Sequence, residues 1–215
     1  MKLLKKELRL ACSPLTPLFL LFACMTLIPR YPILVGAFFI CLGIFYSYQA
    51  AREGGDILFT VLLPIRKRDV VRAKYRFTAM FQLIGFVGMV ILTALRLTVL
   101  RGGVYADSPL LSANFTFLAF ALLIFLEFNV IFVGGFFKTA YYFGKPFIAF
   151  AVVAFLTVAV AESLPHLPGL SFLGGTEGPE LLSQLPLLVV AVLGYVFGSL
   201  AACRGAEKRF ELLDL

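Results

Sequence analysis

The sequence predicts an all-α membrane protein with six transmembrane helices, and three observations predict it. Of 215 residues, 61% are apolar and only 14% charged, whereas a soluble domain is about half apolar and a quarter charged. The apolar residues gather into runs close to the ~20 residues that cross a bilayer. The basic residues concentrate in alternate gaps between those runs. With a mean hydropathy of +0.97, a water-soluble globule is excluded, and little chain remains for a catalytic domain outside the bilayer.

Taken in order, residues 2–12 place Leu3, Leu4, Leu8 and Ala11 on one helical face, with Lys2, Lys5, Lys6 and Arg9 largely opposite. This is the pattern of an amphipathic helix lying on the inner leaflet, its lysines near anionic lipid. The first span, 15–29, is short and carries Pro17 in its first turn, where the missing N–H costs least. Pro29 and Pro32 bracket a tight turn into the second span, 32–50. Gly54-Gly55 ends that helix, and 57–63 is a short apolar piece suited to the interface. Pro64 fits a first helical turn, and good helix formers run from Ile65 into the third span, 77–100. The expected product is a short basic helix with no hinge at Phe77, packing Val70, Val71 and Ala73 and exposing Arg66, Lys67, Arg68 and Arg72. The fourth, fifth and sixth spans fall at 113–137, 146–164 and 185–203, followed by a tail at 204–215. The outer loop 165–186 holds the single histidine, His166, with Glu177, Glu180 and Gly174-Gly175; no metal-ligand spacing surrounds it.

Charge sets the orientation. With the N-terminus cytoplasmic, 16 of the 19 basic residues lie in inside segments, leaving Arg30, Arg96 and Arg101 toward the outer face. Such asymmetry fixes both termini in the cytoplasm of a multi-pass membrane protein. The net charge of +7 is thereby a topology signal, and nucleic-acid binding is not indicated. Cys12, Cys24, Cys41 and Cys203 show no C-x-x-C spacing and read as small apolar residues. Leu21-Phe22-Ala23-Cys24 loosely resembles a lipoprotein cleavage box. Against cleavage stand a long charged start, the phenylalanine, and a second span that follows at once.

Two polar side chains lie near the middle of the fourth span, Glu127 and Asn129. A carboxylate at that depth is costly, so both are candidates for lining a translocation path. The alternative is hydrogen-bonded packing between helices. Arg96 lies too far toward the outer face to pair with Glu127, while Gln82 is nearer in level.

The order of elements, more than the charges, carries a resemblance. The K-K-E-L-R start, Glu53 and Asp56 after the second span, the stretch L-L-P-I-R-K-R-D-V-V-R-A-K-Y at 62–75 and G-G-F-F-K-T-A-Y-Y-F-G-K-P at 134–146 together resemble the ATP-binding-cassette type 2 (ABC-2) permeases of the small six-span bacterial kind. Arg66 departs from the pattern, since many relatives have serine there. The resemblance implies a permease subunit of an exporter, working as a homo- or heterodimer with separate cytoplasmic ATPase subunits. It implies that a groove on the ATPase receives the helix from Pro64 to about Lys74, a coupling helix comprising Pro64, Ile65, Arg66, Lys67, Arg68, Asp69, Val70, Val71, Arg72 and Lys74. Secondary contacts would come from 59–63 and from the loop bearing Lys138 and Lys145. ATP and magnesium would be bound by the ATPase, with no cofactor on this chain and no catalytic residue in it. The residues agree, because no G-x-x-x-x-G-K-[ST] phosphate loop occurs in the sequence.

Two other classes compete less well. A substrate-capture subunit of an energy-coupling vitamin or ion transporter leaves the basic helix after Pro64 unexplained. An intramembrane enzyme needs clustered Asp/His, Ser/His or zinc ligands, and the chain offers one histidine and one mid-membrane acid.

Overall fold

The computed structural model describes residues 2–56, 60, 65–100, 102, 105, 110–139 and 142–212, and among these every regular element is a helix. Helix α1, Lys2–Lys6, runs into a π-helical turn, Glu7–Ala11. Helix α2, Leu15–Phe19, tightens into a 3₁₀ helix, Leu20–Leu27. Helix α3 is Val35–Glu53 and α4 is Lys67–Thr98. Helix α5 starts at Phe115–Glu127, loosens into a π-helical stretch, Phe128–Val133, and resumes as Gly134–Thr139. Helix α6, Gly144–Ser163, ends in a 3₁₀ turn, Leu164–His166; a second such turn, Ser171–Leu173, precedes α7, Gly178–Glu211.

Among the described residues, four helices are long and apolar enough to cross a membrane: α4, α5, α6 and α7. The first two expected spans, 15–29 and 32–50, are not among them, and geometry explains why. Five α-helical and eight 3₁₀ residues in α2 rise together only about 24 Å, short of the ~30 Å hydrocarbon core. Helix α3 has 19 residues, but its last turns carry Ser47, Gln49, Arg52 and Glu53, which shorten its apolar part. The ends of other elements shift too. Helix α4 begins at Lys67 rather than at Pro64, with Arg66 extended as its N-cap; Pro64 and 59, 61–63 lie outside the described residues. Helix α7 begins at Gly178, so Pro186, expected at a boundary, sits inside the helix.

The core is aromatic and centres on α5. Two-thirds of the apolar window of α5 is buried, against 6% for α7, so α5 is the axis and α7 leans on it with its other face free. Phe132 and Phe136 meet the Tyr48 ring edge-on from α5 to α3, and Phe38 stacks on Phe150 from α3 to α6 with centroids 5.8 Å apart. Such ring pairs add to area burial through their quadrupoles.

Helices α2 and α3 approach most closely at Gly43, whose carbonyl accepts from Thr16 Oγ1 at 2.7 Å. A Cβ at Gly43 would collide with the Phe19 side chain, while one at Gly194 of α7 would meet nothing within 4 Å. Gly43→Ala is therefore expected to cost about 1–3 kcal/mol through overpacking. Gly194→Ala is expected to be neutral or stabilising by helix propensity. Thermal unfolding in detergent distinguishes the two, and equal melting temperatures would refute the close approach.

At the end away from the basic residues, two buried amides tie the connecting turns down. Asn114 Nδ2 donates to the Leu173 and Gly175 carbonyls at 2.8 and 3.0 Å, while its Oδ1 caps α5 by accepting from the Phe117 N–H. Gln184 Nε2 donates to the Phe172 carbonyl at 2.7 Å. The α6–α7 connection is thus held against the bundle by side chains placed in helices.

Candidate functional site

The segments rich in Lys and Arg converge at one end of the bundle, and two ionic assemblies organise it. The first is buried. Lys74 of α4 is 2% exposed and Glu7 is 1% exposed, and they pair at 2.5 Å. Asp56, after α3, lies 3.5 Å from Lys74 and also pairs with Lys6. Lys6 completes the ring at 3.3 Å from Glu7. Two cations and two anions cancel, which is the condition under which charges are tolerated in a low-dielectric interior. The cluster joins three separate segments: the N-terminal helix, the end of α3 and the first turns of α4.

The π-helical turn at 7–11 explains the departure from the expected amphipathic pattern. Wider winding turns Glu7 inward and leaves Leu8 exposed. Lys6, expected on the polar face, follows Glu7 into the cluster.

The second assembly is at the surface. Arg68 forms a two-pronged pair with Glu211, its Nη2 donating to Oε2 at 2.7 Å. One turn along, Arg72 does the same with Glu207, at 2.8 and 3.1 Å. Planar guanidinium and carboxylate match in this geometry, which gives orientation as well as attraction. Both glutamates lie beyond the expected span 185–203, and the hydrogen bonds from Arg72 and Arg68 hold their carboxyls below the usual range. The pairs clasp the start of α4 to the end of α7, and Phe210 seals beneath them against Phe137 of α5.

The expected exposure of the basic helix is met except at Lys67: Arg66, Arg68 and Arg72 are exposed, and Val70, Val71 and Ala73 are buried. Ile65 and Lys67 are half-buried. Asp69 sits in the first turn of α4, where its charge suits the helix N-terminus. Lys74 differs, because it faces inward into the buried cluster and offers nothing to a partner. Sequence reading missed Glu7, Glu207 and Glu211. A signal existed for two of them: the glutamates stand four apart at the end of α7, matching the four-residue spacing of Arg68 and Arg72. Lys138 and Lys145 are exposed at the same end, on either side of the α5–α6 connection, with the nearby Arg52 guanidinium 4.8 Å over the Phe143 ring.

The mid-span candidates separate. Asn129 is buried and fully engaged: its amide exchanges two 3.1 Å hydrogen bonds with Gln82 of α4 and donates to Ser199 Oγ of α7 at 2.9 Å. Tyr195 donates to Gln82 Oε1 at 2.9 Å. Side chains from α4 add hydrogen bonds to carbonyls at and just before the π-helical stretch of α5, Gln82 donating to Phe125 and Tyr75 to Asn129. Asn129 thus binds α4, α5 and α7 to one another, and with Ser199 it also borders a cavity between α4 and α7.

Glu127 turns the other way, toward α6, where Oε1 accepts from Thr157 at 2.6 Å. Glu127→Gln is expected to keep that bond and match the wild-type melting temperature, whereas Glu127→Ala loses it and melts lower, by about 1 kcal/mol. A glutamine variant of normal stability that abolishes transport-linked ATPase activity would instead assign the carboxylate to the path.

Comparison with known proteins adds one match. The sequence model of a family described as "ABC-2 family transporter protein" matches residues 2–202. No curated protein and no solved structure matches the chain.

Proposed function

The chain belongs to the ABC-2 transporter family, and on that premise we propose that it is the membrane permease subunit of an ATP-driven exporter, working as a dimer with separate cytoplasmic ATPase subunits. The observation that carries this reading is α4. Its 32 residues form one unbroken rod of roughly 48 Å, longer than the ~30 Å hydrocarbon core. The excess projects from the basic end as a lever with no joint where it enters the bilayer. A push on its tip therefore moves the span.

The surrounding contacts support a division of labour. Arg66 and Lys67 at the tip meet the ATPase, together with Ile65 and Asp69. Arg68 and Arg72 hold the lever to α7, and Lys74 holds it to the N-terminal helix, with Val70 and Val71 packed beneath. Lys138 and Lys145 form a second contact on the same side, and Pro64 begins the docking segment. In this reading both termini are cytoplasmic, α2 and α3 complete six membrane-embedded segments as a short hydrogen-bonded pair, and α1 rests on the inner leaflet. ATP and magnesium stay on the ATPase. The dimer closes the path, and the weakly buried α7 supplies apolar surface to lipid or to the second copy.

The test is co-purification of an ATPase subunit encoded beside this chain. Charge reversal at Arg66 and Lys67 is expected to lower the ATPase recovered at least tenfold, while the permease itself remains folded. An intact complex would refute the coupling assignment.

A further inference from the structure

A cavity of about 280 Å³ opens between α4 and α7 at the basic end. Its rim carries Arg72, Arg76, Arg204 and Glu207, and Ala79 and Leu200 line its wall. Glu207 is already paired with Arg72. Arg76 and Arg204 are exposed, and neither pairs with an acid among the described residues. The rim therefore presents two unneutralised guanidinium groups from two different helices.

Their depth is as telling as their charge. Arg76 is the last residue before the expected span 77–100, and Arg204 the first after 185–203. The expected span ends put both at the level of the lipid phosphates, with the wall between them on the acyl side. The geometry points to a binding site for an anionic phospholipid of the leaflet at this end, its phosphate between Arg76 and Arg204 and the start of an acyl chain along Ala79 and Leu200. Guanidinium forks match phosphate oxygens, and basic pockets between membrane helices suit anionic headgroups. A free anion would leave the apolar wall unused, and a second protein copy would need an acid to meet the arginines. An occupant here touches both sides of the Arg72–Glu207 clasp. Lipid composition would therefore tune how firmly α4 is held to α7.

The experiment measures retention of dioleoyl-phosphatidylglycerol, against dioleoyl-phosphatidylcholine, by native mass spectrometry of the detergent-purified chain. Wild type is expected to favour the anionic lipid at least tenfold. Arg76→Gln with Arg204→Gln should remove that preference, and Arg76→Lys with Arg204→Lys should keep most of it. Lys5→Gln with Arg9→Gln, which removes the same charge from α1 and the π-helical turn after it, should change it less than twofold. Unchanged retention in the glutamine pair, or equal retention of both lipids, would overturn the site. Displacement of the lipid by millimolar inorganic phosphate would make it a simple anion pocket. Lipid bound to monomers yet absent from dimers would give the cavity to a second copy. Matching melting temperatures of the variants and the wild type exclude misfolding as the cause.

Discussion

Lys74→Met is expected to strip the protein of most of its stability, with little folded material surviving detergent extraction. The side chain is 2% exposed and stands between Glu7 and Asp56. Removing it leaves two buried carboxylates to share Lys6 alone. Breaking a buried pair from one side costs about 3–5 kcal/mol, a large part of the ~5–15 kcal/mol that holds a typical domain. The same physics predicts a rescue. Neutralising one acid as well, with Glu7→Gln in the Lys74→Met background, leaves Lys6 paired with Asp56, removes the uncompensated charge and should restore much of the loss, because buried ion pairs add little over neutral packing. Thermal unfolding followed by size-exclusion chromatography reads both results. A Lys74→Met protein that melts like wild type would show that the cluster does not hold α4 to the N-terminal helix.

The second large effect concerns docking, and it separates arginines that look equivalent in sequence. Arg66→Glu is expected to abolish ATPase recovery with no compensating change available within this chain, because no acid pairs with Arg66 among the described residues. Arg68→Glu should also impair recovery, but for another reason: it sets a glutamate against Glu211, opens the clasp and lets the tip of α4 swing. Combining Arg68→Glu with Glu211→Arg recreates the pair with its polarity exchanged and should recover the complex. Recovery would assign Arg68 to positioning. Persistent loss in the exchanged pair would instead mean that the ATPase reads the cation at 68 directly.

Much of this was legible in the chain. Hydropathy gave the membrane, basic asymmetry gave the end at which the loops gather, and the run from Lys67 into the third span gave an unbroken helix with the observed pattern of exposed arginines and buried valines. Three things were not legible, each for a physical reason. The burial of Lys74 depends on acids from two other segments, so no local pattern marks it. The π-helical stretch at 128–133 has no Pro or Gly within it to announce a change of winding, and the side chains that bond its carbonyls and the one just before it, Tyr75 and Gln82, come from another helix. The 3₁₀ tightening of α2 likewise has no mark in its apolar run, and it turns an expected span into a shorter segment. Asn129 illustrates the limit from the other side. Its depth suggested function, but the partners that hold it lie on α4 and α7, far away in sequence.

The clasp between α4 and α7 also bears on how the chain is made. Synthesis proceeds from the N-terminus, so Arg68 and Arg72 emerge from the ribosome long before Glu207 and Glu211. While the early helices are being threaded into the bilayer, these two arginines are still bare cations, free to be counted in choosing a side. Only when the final helix is complete do its glutamates arrive to neutralise them. The charges of α4 that stand bare at first thus become a latch once Glu207 and Glu211 have followed them.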